Sequence, residues 1–498
     1  MTFPTSAAMQ QAVALHQRGE LAKASQLYDA VLRQEPDHPD ALHLSGVLAR
    51  QRGDAGSAVE LIGRALAAGG EKAIMLCNLG AALQDLRRHE EALASFDRAL
   101  SLQPQYAMAM CNRGNALRNL ERFEEALESY GSALRMQPAY PEALLNRALV
   151  LQQLARHDEA LDSFGAALSQ RPGWAEALHG AAVSLLARGD VEQALEGFDR
   201  ALQRRPEYAE AWCSRGGLLL RAQEAEAAED SYRHALALRP QYARAQLGLA
   251  NSLRALGRKD EAIAAYRSAG EMGADAATVG YMLASLGAQD APSASPSAYV
   301  TALFDQYAAK FDRHLQEVLS YRTPALLADA LRPHVAESLD VLDLGCGTGL
   351  CAPLLRPLAR RLEGVDLSPR MLEKARELEL YDALYCADMV ETLRTRPARY
   401  DLLAAADVMV YVGELETVLA AAWSALRPGG IMAFSVETGS VAEGYALQAS
   451  GRYAHSAACV RAAAAKAGFD VLALDSCVLR RDAGSDVQGL LAVLRRSA

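Results

Sequence analysis

A period of 34 residues, sustained over roughly the first 290 residues, limits what this chain can fold into more than any other feature. One column of the register holds Ala24, Ala58, Ala92, Ala126, Ala160, Ala194, Ala228 and Ala262. Four residues on stand Tyr28, Ile62, Phe96, Tyr130, Phe164, Phe198, Tyr232 and Tyr266. Three further come Val31, Ala65, Ala99, Ala133, Ala167, Ala201, Ala235 and Ala269. Steps of four and three put these residues on one helix face. Small residues let two helices approach closely, and the aromatic fills the gap between neighbouring pairs. Pro36, Pro104, Pro138, Pro172, Pro206 and Pro240 close six of the eight units, because proline ends a helix. Residues 277–287 supply one more helix to cover the apolar face of the last pair.

These units resemble tetratricopeptide repeats: eight copies and a capping helix over residues 5–290. The resemblance implies a superhelix whose concave side is lined by the first helix of each repeat. Asn78, Asn112 and Asn146 recur there at one position in three successive repeats. Asp85, Asn119 and Gln153 follow seven residues later on the same face. An asparagine amide offers a donor and an acceptor, and so can clamp the backbone of an extended peptide. The repeats are also similar to those of protein O-glycosyltransferases, in which an asparagine ladder holds a peptide. Asn78, Asn112 and Asn146 are therefore the candidate peptide-binding residues. The competing reading is a solvated polar face that keeps the groove soluble.

The period stops near Gly287, and residues 291–297, Ala-Pro-Ser-Ala-Ser-Pro-Ser, read as a linker. From 298 the pattern alternates strand and helix. Strands are expected at 339–344, 362–366, 383–387, 400–406, 431–436, 470–480 and 487–495, the last two as a hairpin. The first strand runs into Asp343-Leu344-Gly345-Cys346-Gly347-Thr348-Gly349. Glycine at every second position marks a sharp strand-to-helix turn with bare backbone for a ligand. Asp366 follows 21 residues after Gly345, at the end of a second apolar run, and suits the two hydroxyls of a ribose. A dinucleotide fingerprint would need glycine where Leu350 stands, which disfavours a nicotinamide-dependent oxidoreductase.

The D-x-G-x-G-x-G run resembles the first motif of Rossmann-like, class I methyltransferases, and the resemblance covers residues 298–498. It implies a seven-stranded, mostly parallel sheet with an antiparallel last strand, and S-adenosylmethionine as cofactor. The methionine part would lie over Gly345, Cys346, Gly347 and Gly349, oriented by Asp343, with the ribose on Asp366. Leu367 and Met371 would line the adenine pocket, and Asp388 would face the adenine amino group with Met389 beside it. Each has a plainer reading; Asp388, for example, could simply cap a helix. A helix ahead of the first strand would fold over the cofactor through Tyr307 and Phe311, and Arg322 could reach its carboxylate. Asp407 opens the lip after strand four, facing both cofactor and acceptor. Leu426-Arg427-Pro428-Gly429-Gly430 would be the turn before strand five. An oxygen acceptor or a protonated amine must lose a proton, and His455, Asp407 and Glu437 are the candidate bases. The motif order around the loop, ending in Gly451-Arg452-Tyr453-Ala454-His455-Ser456, resembles predicted bacterial methyltransferases fused to tetratricopeptide repeats.

The net charge of −10, with no basic block, argues against a nucleic-acid partner. Eight cysteines without paired-ligand spacing imply reduced thiols and no metal site. The first ten residues lack a signal-peptide pattern, and no apolar run reaches membrane-spanning length. The expectation is a cytoplasmic enzyme with no membrane partner, which methylates an unidentified acceptor while its repeats recruit a protein or peptide. The alternative is a repeat-based interaction scaffold with a cofactor-sensing, non-catalytic methyltransferase fold. Intact Asp343, glycine loop and Asp366 argue against lost cofactor binding.

Overall fold

A computed structural model describes residues 5–308, 321–439, 441–482 and 485–497. The chain divides into two compact units, Met1–Ala222 and Gln223–Ala498.

Among the described residues the first unit holds thirteen helices, from Thr5–Gln17 to Ala209–Arg221. The periodic columns are its core: Ala24, Tyr28 and Val31 are fully buried, as are Ala92, Phe96 and Ala99. The aromatic of each second helix needs a partner that the aromatic column alone does not reveal. A Cβ on Gly80 would stand 2.6 Å from Phe96 Cε1, and one on Gly114 would stand 2.6 Å from Tyr130 Cε1. Bare backbone on the first helix is thus the hole into which the ring fits. A second hidden column sits in the turn inside each repeat. Gly19, Gly53, Gly189 and Gly257 have φ of +76°, +85°, +93° and +72° there. Arg87, Glu121, Ala155 and Gln223 adopt the same left-handed conformation at +59°, +59°, +55° and +65°. The turn geometry is kept even where the residue that favours it is absent.

The second unit begins with the helices Ala225–Leu238, Ala243–Ala255 and Lys259–Glu271. The expected cap follows as Ala276–Ser285, its N-terminus closed by Asp275, which accepts from Thr278 N at 2.7 Å. A nine-stranded sheet comes next: β1 Leu339–Leu344, β2 Ala359–Asp366, β3 Ala383–Cys386, β4 Tyr400–Ala405, β5 Leu426–Glu437, β6 Tyr445–Leu447, β7 Tyr453–His455, β8 Phe469–Asp482 and β9 Ser485–Arg496. The main order is β3-β2-β1-β4-β5-β9-β8, parallel from β3 to β5, with β9 antiparallel to both neighbours. This is the expected Rossmann-like sheet with its antiparallel last strand. Helices cover both faces, so alternate residues of each strand enter separate cores: Leu342 and Leu344 on one side, Val341 on the other.

Two features differ from expectation. Residues 427–430 form a bulge inside β5, because Leu426 pairs with Tyr400 and Ile431 with Leu402. The stretch read as a preceding turn is therefore part of the strand. The short hairpin of β6 and β7 was not expected; it hangs on the end of β5 through Glu437 and Ala454.

Replacement of Gly114 by Ala should lower stability, although alanine is the better helix former by about 1 kcal/mol. The Tyr130 ring cannot swing away freely, because its hydroxyl donates to Asn115 Oδ1 at 2.8 Å. Overpacking of about 1–3 kcal/mol should therefore prevail, seen as an earlier urea midpoint; a later midpoint would refute the ring-in-hole packing.

Candidate functional site

β1 and β4 are adjacent, and the loops leaving their carboxyl ends bound a cavity of about 270 Å³. Gly345, Gly347 and Gly349 have φ of +60°, +54° and +92°, so the bend is left-handed at every second residue. The helix beyond the bend is only Ala352–Leu355, so the expected helix end contributes little dipole. Gly347 N donates to Asp366 Oδ2 at 2.9 Å and Ser368 N donates to Asp366 Oδ1 at 2.8 Å. Asp366 at the end of β2 is thereby aimed back at the bend.

Asp343, Gly345, Cys346, Gly347, Asp366, Leu367, Asp388, Met389 and Asp407 all line this cavity. Asp343 is buried, and Tyr381 donates to its Oδ2 at 2.7 Å. Burial pushes the Asp343 carboxyl from 3.8 to about 7; the Tyr381 hydroxyl opposes the rise and the Asp366 charge adds to it. Burial also raises Asp366, against the backbone N–H groups of Ser368, Gly347 and Leu367. Asp388 caps the helix Met389–Arg394, and both capping bonds, from Val390 N and Glu391 N, fall on Oδ1. The plain capping role and a ligand role are thus compatible in one carboxylate.

Other expected residues are placed elsewhere. Gly349 is off the cavity wall, where a Cβ would meet Leu378 Cδ1 at 2.7 Å. Met371 is fully buried in the helix Pro369–Glu377 and packs in the core. Arg322 is exposed and does not line the cavity. Phe311 and the Tyr307 side chain lie outside the described residues.

The three candidate bases also separate. His455 is fully buried with Nε2 3.0 Å from Gly413 O, does not line the cavity, and is held below its ordinary pKa by burial. Glu437, at the end of β5, is taken by Arg480 and lies 3.6 Å from Arg452. Asp407 alone is on the wall. Its φ is +59°, its N–H donates to Ser435 Oγ, and its Oδ2 accepts from Arg480 NH1 at 2.7 Å. Asp407 Oδ1 is buried and without a hydrogen-bond partner among the described residues.

Sequence reasoning missed Arg480, Tyr381 and the wall formed by residues 293–297. The side chain of Arg480 is 1% exposed, on an inward position of β8 beside a bulge at residues 478–480. Ser293, Ala294, Ser295 and Ser297 line the cavity although they stand in the presumed linker. Ser293 O accepts from Gly413 N and Glu414 N at 2.8 and 2.9 Å, Ser295 N donates to Tyr411 O at 2.9 Å, and Ala294 bridges Val412.

Among protein families, the methyltransferase-domain model matches residues 341–430, and tetratricopeptide-repeat models match 71–139 and 9–71, 111–175, 179–243 and 219–277. A ubiquinone biosynthesis O-methyltransferase of Methylocella silvestris is 32% identical over 124 residues, 24% of this chain and 48% of that protein. Human methyltransferase-like protein 27 is 32% identical over 142 residues, 28% of this chain and 57% of that protein. A malonyl-[acyl-carrier protein] O-methyltransferase of Serratia marcescens is 32% identical over 111 residues, 22% and 42% of the two chains. The chain thus spans about half the length of the curated relatives it matches. Of solved structures, the tetratricopeptide protein YrrB, described as having an unusual peptide-binding site, covers 38% of this chain and 97% of its own at 26% identity; its TM-score of 0.32 carries no argument. No helix among the described residues is long and apolar enough to cross a membrane.

Asp343 gives the site a pH signature. Its folded value, about 7, lies above the ordinary 3.8, so the native state binds the proton more tightly than the unfolded chain. Native stability should therefore fall as pH rises from about 4 to about 7, and level off above. Asp343→Asn should lack this loss and gain roughly 2–4 kcal/mol on the natural protein between those limits. Parallel stability-versus-pH curves for the two proteins would show that Asp343 is not held protonated.

Proposed function

We propose that this chain, which joins tetratricopeptide repeats to a methyltransferase domain, transfers a methyl group from S-adenosylmethionine to an acceptor that the repeats help to recruit. In this reading residues 5–290 recruit and residues 298–498 carry the chemistry, within a cytoplasmic enzyme. The observation that carries it is the convergence of Asp343, Asp366 and Asp388 with the left-handed glycine bend on one cavity. The site fits the group on its own geometry. Asp366 keeps lone pairs for ribose hydroxyls, and Asp388 Oδ2 is free of the capping bonds. Asp343, which burial raises, is an acceptor for a cationic amino group.

When bound, the cofactor supplies an electrophilic methyl on a positively charged sulfur. The chain's own work is to align an acceptor and keep water out. Leu367, Met389, Val408 and Cys346 provide apolar lining. Two of the relatives compared are named for oxygen methylation, which supports an oxygen acceptor.

The recruiting role rests on the asparagine row. Asn78 Nδ2 donates to His43 Nε2 at 2.8 Å, Asn112 Nδ2 to Cys77 Sγ at 3.8 Å, and Arg118 NH1 to Asn146 Oδ1 at 3.3 Å. Burial lowers the pKa of His43, which keeps its ring neutral and able to accept. Asn78 and Asn112 are thus held through the amide nitrogen with Oδ1 left for a peptide backbone, while Asn146 accepts from Arg118 and also bonds the Cys111 thiol.

Asp366→Ala should weaken S-adenosylmethionine binding by at least about 1 kcal/mol in calorimetry, through lost hydrogen bonds to a charged group; unchanged affinity would remove Asp366 from the site. Replacing Asn78, Asn112 and Asn146 together by Ala should leave cofactor affinity unchanged. Labelled-methyl incorporation in a lysate, read in the macromolecular and small-molecule fractions, should fall about tenfold in whichever fraction carries the label, as the loss of about 1.4 kcal/mol of recruitment would give. Undiminished incorporation would show that the row does not recruit the substrate.

A further inference from the structure

Two guanidinium groups line the cavity, Arg480 and Arg452, and they are not equivalent. Arg480 is committed at both ends: NH1 binds Asp407 and NH2 binds Glu437, and its Nε is buried without a hydrogen-bond partner among the described residues. Its role is to fix those two carboxylates. Arg452 is left with the weaker share. Its ion pair to Glu437 spans 3.6 Å, and it reaches the same Oε1 that Arg480 already holds. The Tyr411 hydroxyl is its other side-chain partner. Among the described residues its five N–H donors are therefore incompletely used.

The backbone around Arg452 is fixed in advance. Gln448 N donates to Arg452 O at 2.8 Å, and Tyr281 OH donates to Gly451 O at 2.6 Å. Val300, Phe304, Val410 and Val412 supply apolar wall to the same cavity. A fork of donors set among apolar side chains suits a carboxylate on an apolar body.

Charge points the same way. Asp407, Glu437, Arg452 and Arg480 sum to zero, and Glu414 at the rim is exposed. Asp343, Asp366 and Asp388 on the opposite wall face the cofactor's positive charge, so on the neutral acceptor side Arg452 is the group that an anionic acceptor can pair with. The bases point there too. His455 and Glu437 do not line the cavity, and a proton on Asp407 would strip the buried Arg480 of a counter-charge. A carboxylate acceptor needs no base. One of its oxygens forms the bond to the methyl carbon, the methyl–sulfur bond breaks with its electron pair staying on sulfur, and no proton moves. The products are a methyl ester and a neutral thioether.

We infer that the methyl acceptor is an organic acid with an apolar body, whose carboxylate is held by the Arg452 guanidinium. The inference rests on the cavity's being an S-adenosylmethionine site. It is tested by calorimetry on the full chain saturated with S-adenosylhomocysteine, titrated with 3-phenylpropanoate and with 3-phenylpropanamide as probes. The acid should bind at least tenfold more tightly than the amide. Arg452→Gln should bring the acid to the amide's affinity, and Arg452→Lys should retain part of the difference. S-adenosylhomocysteine affinity should be unchanged in both variants, which also reports that they are folded. Equal binding of acid and amide, no binding of the acid, or an indifferent Arg452→Gln would each overturn the acceptor class while leaving the cofactor site standing. Loss of S-adenosylhomocysteine binding in Arg452→Gln would assign the guanidinium to the cofactor and overturn it equally. Failure of the natural protein to bind S-adenosylhomocysteine would instead remove the reading on which it rests.

Discussion

The missing side chain at Gly345 governs the site. A Cβ there would stand 2.5 Å from Val408 Cγ2, so the loops after β1 and β4 can approach each other only while residue 345 is bare. Asp343 lies two residues before that contact on one strand and Asp407 one residue before it on the other. The glycine thus fixes the separation of the carboxylate that faces a cationic ligand from the carboxylate that is locked to Arg480. Backbone strain at Asp407, with φ of +59°, is tolerated because Ser435 Oγ and Arg480 hold the residue from two sides. The close approach of two backbones therefore comes first, and the electrostatics is built on it.

Those electrostatics differ across the cavity. Around the glycine bend the carboxylates are unpaired by any cation among the described residues, and burial pushes Asp343 and Asp366 upward. Across from it, Asp407 and Glu437 are bound to buried arginine. A carboxylate without a counter-charge gains most from a cationic ligand, whereas a paired one gains little. The first half is thus prepared for positive charge and the second is already neutral. Arg452 is the exception that leaves donors over.

What was legible in the sequence follows from where the signal lies. The repeats could be read because a buried face repeats on a fixed period, and the strands because their apolar runs are buried on both faces. Asp343 and Asp366 could be placed because the chain order of strand, bend and strand fixes them in space. Arg480 could not, since an arginine near the turn of a hairpin ordinarily points to water; only the bulge in β8 turns it inward. His455 was misjudged for a related reason. Its polar neighbours Arg452 and Ser456 suggest an open mouth, whereas the hairpin of β6 and β7 buries it against Gly413. Met371 carried an apolar type that serves a core as well as a pocket, and helix register chose the core.

Residues 291–297 show the limit of composition as a guide. Proline, serine and alanine offer little apolar area and no charge, so nothing in them asks for a partner. Yet the segment is held mainly through its backbone. Pro292 O accepts from Tyr453 OH at 2.6 Å, Ser293 O from two amides of the lip, and Ser295 N donates to Tyr411 O. Backbone groups are common to every sequence, so a strand-like attachment of this kind leaves no mark in residue type. Ser295 Oγ adds one side-chain bond, donating to Tyr281 OH at 2.7 Å, and that phenol in turn donates to Gly451 O. Tyr281 is buried in the capping helix of the repeats, one bond from the residue that precedes Arg452. The capping helix and the cavity wall are therefore joined by direct hydrogen bonds through Tyr281, so the segment that composition marks as a spacer is built into the packing between them.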